Sequence, residues 1–233
     1  MKLFVNGCSF SHGHTDFEDV TTPLSWVWPS LISDNFESTH NLAWMGGSNA
    51  RILRTTLEFF DKIKDGSDWV AIIQWSSITR DELHDEETDT YFGALLDSPQ
   101  PVLAGEDRFK FVHIPDSLVK AVNVYQRTAH LRSTKHMLEK LIYQQFIISN
   151  FFKRKNIKFL FTGMNQRSTI PNDFNHPLKQ FLSPENNLLP ISNFVNPGTP
   201  KLIESETDLH PNKEGHRVIA QYITNELKVR NYL

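Results

Sequence analysis

The strongest pattern in the chain is WVAIIQW, residues 69–75, an apolar run with charged residues before it and Ser76–Ser77 after it. A run of this length and bounding predicts a fully buried strand. IKFLFTG at 157–163 and LFVN at 3–6 have the same character, and HNLAW, 40–44, predicts a further short strand before GGSN. Elsewhere the apolar period lengthens. Ile52, Phe59, Phe60 and Ile63 predict an amphipathic helix from Asn49 onward, with Ser48 or Asn49 as its cap. Residues 24–36 carry Leu, Trp, Ile and Phe at approximately helical spacing, and 117–155 supplies one long helix or two consecutive ones. Pro211 and Asn212 introduce a last helix with Ile219, Ala220, Ile223 and Leu227 on one face. The three clearest strands are each followed by a helical segment, directly or after a long excursion. That order predicts an α/β fold with a parallel sheet covered on both faces.

Two stretches lack either period. Residues 81–89, DELHDEETD, contain six acids and read as a solvated loop; 97–116 carry Pro99, Pro101, Gly105 and Pro115. Together 81–116 read as a surface excursion from one domain spanning 1–233. Residues 165–205, rich in Asn and Pro, predict a long loop with short local elements.

Composition narrows the classes further. The chain has 233 residues, with 24 Lys plus Arg against 27 Asp plus Glu and a formal charge of -3. A single cysteine, Cys8, excludes an intramolecular disulfide framework and a thiolate-rich metal site. The mild acidity gives no general support for nucleic-acid binding. No apolar stretch approaches the roughly 20 residues that cross a bilayer, and the opening MKLFVNGCSFSHG has too short an apolar run for a secretory signal. The expectation is a cytoplasmic or otherwise soluble protein without a membrane partner; the oligomeric state is left open. A Walker motif and a full dinucleotide fingerprint are both absent.

Candidate chemistry sits at the two ends of the chain. A strand ending near Asn6 and a tight Gly7–Cys8–Ser9 turn would present the Ser9 hydroxyl at the carboxyl edge of a parallel sheet, where open α/β folds place ligands. Gly7 permits dihedral angles or close contacts that a side chain would restrict. Cys8 reads as a small buried neighbour. In ETDLHPNKEGHRVIAQYI, Asp208 and His210 precede the last helix. A histidine base needs reach to a hydroxyl and an acceptor that fixes its tautomer, a part Asp208 or, in reserve, Glu206 can take.

Three blocks, GCSFSHG at 7–13, NLAWMGGSN at 41–49 and DLHPNKEGH at 208–216, occur in the order and at the element boundaries of the GDSL-like, or SGNH-type, hydrolases. The chain resembles that superfamily. The resemblance implies a three-layer α/β/α sandwich with a mostly parallel, flavodoxin-like sheet. It implies a serine-dependent hydrolysis of carboxylic esters, including acylated sugars in some members, with no metal or cofactor. Ser9 would be the nucleophile, His210 the general base and Asp208 its orienting acid. The Ser9 backbone N–H and that of Gly46, with Gly47 as the alternative register, would form the oxyanion hole. The expected partner is a small-molecule or carbohydrate ester.

The sequence departs from the family in two places. The third block usually ends its strand with an asparagine aimed at the oxyanion, and here the segment reads IIQWSSITR. Ser76, Ser77, Thr79 or Asn49 could supply a donor instead. Many relatives also have two residues between the acid and the histidine, whereas Asp208 and His210 have one. These departures keep a noncatalytic binding or structural protein, and an acyltransferase, as alternative functions.

The remaining features read more simply. His12 and His14 flank Gly13 and read as loop residues facing solvent or substrate, and no histidine spacing predicts zinc. His216 reads as a packing or capping residue of the last helix. Trp69 and Trp75 bracket a strand and belong in the core, while Trp44, just before the glycines, is a candidate pocket residue. Lys153, Arg154, Lys155 and Lys158 read as a solvated helix end.

Overall fold

A computed structural model describes residues 1–13, 24–86, 90–95, 103–105, 133–195, 198–205 and 208–233. His14, Glu206 and the part of the predicted helical region before 133 lie outside the described residues. In chain order the elements are β1 (Lys2–Asn6), α1 (Ser9–His12), α2 (Trp28–Ile32), β2 (Ser38–Asn41), α3 (Asn49–Asp61), β3 (Trp69–Trp75), β4 (Arg80–Asp85), β5 (Thr90–Leu95), β6 (Leu103–Gly105), α4 (Thr134–Arg154), β7 (Lys158–Gly163) and α5 (Lys213–Val229).

The sheet that organises the molecule is parallel throughout, in the order β2-β1-β3-β7. Side chains alternate between its faces, so each strand feeds two cores. Leu3, Val5, Val70, Ile72 and Leu160 pack with Trp28 and Ile32 of α2 and with Ile219, Ile223 and Leu227 of α5. Phe4, Ala71, Ile73, Trp75, Phe159 and Phe161 pack with Ile52 and Phe60 of α3 and with Leu141, Ile148 and Phe152 of α4. Each large side chain buried this way contributes about 1.5–3 kcal/mol. Helices therefore cover both faces, and the order 2-1-3 places the topological switch point between β1 and β3. Ligand sites of open α/β sheets sit outside the strand carboxyl ends at such a point. The residue that follows the β1 turn there is Ser9.

Several boundaries differ from the sequence-based expectation. The second strand runs over Ser38–Asn41, two residues earlier than HNLAW, because pairing with Lys2–Val5 of β1 fixes its register. The helix expected over 24–36 is confined to Trp28–Ile32 and a following 3-10 turn, Ser33–Asn35. The first part of the acidic run is not the solvated loop expected. Arg80–Asp85 is a strand, antiparallel to β5, which in turn pairs with β6. Two of its acids are paired: Asp81 is buried with Lys140 Nζ at 2.6 Å, and Arg54 binds Glu82 at 2.9 Å. Nor is Lys155 part of a solvated end. Its ammonium donates to the carbonyls of Phe60, Asp61 and Ile63 where α3 stops. Among the described residues, 166–195 and 198–202 do form a loop region punctuated by five short 3-10 turns. Among the described residues, no helix is long and apolar enough to cross a membrane.

Candidate active site

The turn after β1 is held from below by two buried amides. Asn6 donates through Nδ2 to the Ile52 carbonyl and to the hydroxyls of Thr55 and Thr56, while its Oδ1 accepts the Gly7 N–H at 2.9 Å. Gln74, the penultimate residue of β3, accepts three donors at one oxygen: Cys8 N–H at 3.0 Å, the Cys8 thiol at 3.3 Å and the Ser11 hydroxyl at 3.1 Å. Its own Nε2 donates to the Trp75 carbonyl. A Cβ on Gly7 would lie 2.7 Å from that Gln74 oxygen, which is why the turn has no side chain there. Cys8 is fully buried and Ser9, at the start of α1, is 4% exposed.

The last block approaches from the loop before α5. The Ile203–Pro211 bridge, with Glu204 N–H on the His210 carbonyl, ties this loop back on itself. Asn212 then caps α5 by accepting the Gly215 N–H and donating to the carbonyls of Lys201 and Ile203. His210 is thereby set beside Ser9: its Nε2 lies 2.8 Å from the Ser9 hydroxyl oxygen, across 201 residues of chain. Its Nδ1 lies 2.5 Å from Asp208 Oδ1. An ionised carboxylate can only accept, so the Nδ1 next to it carries the proton and Nε2 of the neutral ring accepts from the serine O–H. Both side chains remain about a quarter exposed, His210 at 23% and Asp208 at 26%.

The one-residue spacing between acid and base is accommodated by an Asp-centred turn. Asp208 Oδ1 also accepts the backbone N–H of His210 at 3.0 Å, so the chain reverses within that dipeptide and both imidazole and amide face the same oxygen.

The middle block lies against the turn. Trp44 N–H donates to the Gly7 carbonyl at 3.0 Å. Gly46 has φ 71, a left-handed conformation that excludes most side chains. The two glycines differ in their backbone donors. Gly47 N–H is bonded to the Trp44 carbonyl at 2.9 Å, whereas neither Gly46 N–H nor Ser9 N–H has a hydrogen-bond partner among the described residues.

The other predicted pocket residues are engaged elsewhere. Asn49 is 4% exposed; its amide donates to the Ser76 carbonyl at 3.1 Å and accepts Ser76 N–H at 2.7 Å, fastening α3 to the end of β3. Ser76 Oγ accepts from Arg80, and the hydroxyls of Ser77 and Thr79 bond to each other at 2.9 Å. Trp44 lines an open groove of about 470 Å³ with Arg51, Arg54 and Phe59, and neither Ser9 nor His210 lines it. His12, expected in a loop facing solvent or substrate, is buried at 1% exposure, with Nδ1 3.1 Å from the Gly13 carbonyl. His216 packs as expected: it is buried, and burial first, then the charge of His210, push it down to about 3. Among the described residues, no three His, Cys, Asp or Glu side chains converge to hold a metal ion.

Sequence reasoning missed Asn6 and Gln74, whose only signal was a polar amide at the end of an otherwise apolar strand.

A family model described as a family of unknown function (DUF6071) matches residues 16–174, a segment that includes Gly46 and Asn49 but neither Ser9 nor His210. No curated protein matches the sequence. Solved structures do. One is a member of the lipolytic protein G-D-S-L family from Veillonella parvula DSM 2008, with 11% identity, TM-score 0.50 and coverage of 96% of both chains. Another is the psychrotrophic esterase EstA from Pseudoalteromonas sp., with 13% identity, TM-score 0.50 and coverage of 100% of this chain and 99% of that one. A third is TesA, with 12% identity, TM-score 0.53 and coverage of 98% of both. At these identities the likeness establishes the α/β fold that these lipolytic and esterase structures share.

Proposed function

The chain belongs to DUF6071, a family of unknown function, and from that premise we propose that this protein is a serine hydrolase of carboxylic esters, a divergent relative of the SGNH-type enzymes. One observation carries the reading: the unbroken line from Asp208 through His210 to the Ser9 hydroxyl.

In the proposed reaction His210 Nε2 takes the Ser9 proton as the serine oxygen attacks the ester carbonyl. Asp208 holds the imidazole in the required tautomer and offsets the charge it acquires. In this reading the N–H groups of Ser9 and Gly46, which have no partner among the described residues, donate to the developing oxyanion and favour it over the starting carbonyl. The imidazolium then protonates the leaving alcohol. Water, activated by the same imidazole, releases the acid from the acyl-enzyme. O-deacylation of an acylated sugar is the finer assignment we attach to this chemistry.

The engaged Asn49 amide favours a second reading, binding of an ester-bearing ligand with little turnover. An oxyanion hole short of one donor forfeits about 3 kcal/mol, roughly a hundredfold in rate. Labelling with a fluorophosphonate separates the two. Stoichiometric modification of Ser9, its loss in Ser9→Ala, and hydrolysis of p-nitrophenyl acetate by the unmodified protein support the enzyme. A folded protein that neither labels nor turns over supports the binding module.

A further inference from the structure

Trp28 begins α2 fully buried, and both of its N–H groups reach toward the ends of the chain that meet at Ser9. The indole Nε1–H donates to the Phe10 carbonyl at 3.1 Å. The backbone N–H donates to His216 Nδ1 at 3.2 Å, across 188 residues. At a helix start the first N–H groups have no partner within the helix, and Val27, the cap residue, provides none by its side chain. An imidazole from the last helix fills that place.

Phe10 directly follows Ser9, and its ring packs on His210 with centroids 5.0 Å apart and planes tilted by 41°. His216, in turn, sits in the first turns of α5, six positions beyond His210. The contacts therefore close a circuit from Ser9 and Phe10 through Trp28 and His216 back along the chain to His210. Asp208 and Ser9 restrain the His210 ring in its plane, through its two nitrogens. Phe10 restrains it from the side, through its face. His216 suits its part because its low proton affinity keeps Nδ1 an acceptor at neutral pH.

We propose that Trp28 and His216 are positioning residues for the Ser9–His210 pair: they hold Phe10 against the imidazole face, so that His210 stays aligned between Asp208 and the serine. The inference rests on the acyl-transfer reading above, and neither residue touches the reacting atoms.

The test uses the full chain with Trp28→Phe, which keeps an aromatic ring and deletes the indole donor, and the pair His216→Leu and His216→Asn. Asparagine can return an acceptor near the Nδ1 position and leucine cannot. In Trp28→Phe and His216→Leu, kcat for p-nitrophenyl acetate and the rate of Ser9 labelling should fall about tenfold to a hundredfold with KM little changed, as expected for a misaligned base. His216→Asn should recover most of that loss. The His210 imidazole ¹⁵N and ¹H resonances, recorded without substrate, should shift in the two impaired variants and return in His216→Asn.

A folded Trp28→Phe with wild-type kcat and unchanged His210 resonances would overturn the proposal. If that variant does not fold, equal behaviour of His216→Leu and His216→Asn overturns it instead. If the unmodified protein neither labels nor turns over, the hydrolase reading is lost, while the resonances still decide whether this circuit aligns the imidazole.

Discussion

Asp208 binds His210 twice through one oxygen, at 2.5 Å to the imidazole Nδ1 and at 3.0 Å to the backbone N–H. The same carboxylate thus shapes the turn and orients the ring. Asp208→Asn separates these duties, since an amide oxygen can still accept the backbone N–H but cannot match a carboxylate beside an imidazolium. We expect kcat to fall by about 10³–10⁴ with the melting temperature nearly unchanged. Steady-state hydrolysis and a thermal melt of the same preparation check both halves. An Asp208→Asn variant retaining more than about a tenth of kcat would remove Asp208 from the acid's role.

The Gly7–Ser9 turn should depend on Gln74 as strongly as on any apolar residue. Leucine at this position would fit β3 but leave two buried donors unmatched, Cys8 N–H and the Ser11 hydroxyl; the Trp75 carbonyl keeps the Met164 N–H. Each buried polar group left unmatched costs about 1–3 kcal/mol, so Gln74→Leu should lose about 2–5 kcal/mol in urea denaturation at neutral pH. It should also slow Ser9 labelling. A loss below about 1 kcal/mol would mean that the turn holds its shape without this amide.

Gln74 also marks where the sequence stopped being informative. β3, β7, α3 and α5 were legible because their apolar positions repeat with the period of the element, and Ser48 and Asn212 cap the two helices as their side chains predict. Ser9 and His210 were picked out together by the resemblance of GCSFSHG and DLHPNKEGH to the GDSL-like blocks, and the structure brings the two side chains within 2.8 Å. The acidic strand β4 was not legible: Asp81 and Glu82 are neutralised by Lys140 and Arg54, partners from other elements that no local pattern reveals. Asn6 and Gln74 were hidden for the same reason, since a buried amide is explained only by the distant groups that satisfy it. The engagement of Asn49 with Ser76 likewise depends on how α3 meets β3.

Acid should weaken the fold through His216. Burial, and then the charge of His210, hold this residue at about 3, below its ordinary value of 6.5. Between those values the unfolded chain binds the extra proton, so the stability His216 contributes is present above pH 6.5 and lost as the pH falls. Linkage sets the slope at about 1.4 kcal/mol per pH unit, or about 2 kcal/mol between pH 7 and pH 5. In His216→Asn this component should vanish. Unfolding free energies of both proteins at pH 5, 6 and 7 test it; parallel pH dependences would show that His216 protonates within the folded chain.

Gly46 and Gly47 should fail in different ways when given a side chain. At Gly46 the obstacle is conformational: φ is 71, and alanine in that region is strained by about 1–2 kcal/mol. Its N–H survives the substitution, so Gly46→Ala should lose stability of that order while keeping most of its turnover. At Gly47 the obstacle is steric and lies in backbone atoms. A Cβ there would stand 2.9 Å from the Trp44 carbonyl oxygen and 3.0 Å from that of Gly7, neither of which can rotate away. The loop must then move off the Gly7–Ser9 turn, and it carries the Gly46 N–H with it. Because losing an oxyanion donor costs about a hundredfold in rate, Gly47→Ala should lower kcat by that factor, more than its loss of stability would explain. Measuring kcat and unfolding free energy for both variants separates the cases. Wild-type kcat in a folded Gly47→Ala protein would show that the 44–47 loop takes no part in stabilising the reacting carbonyl.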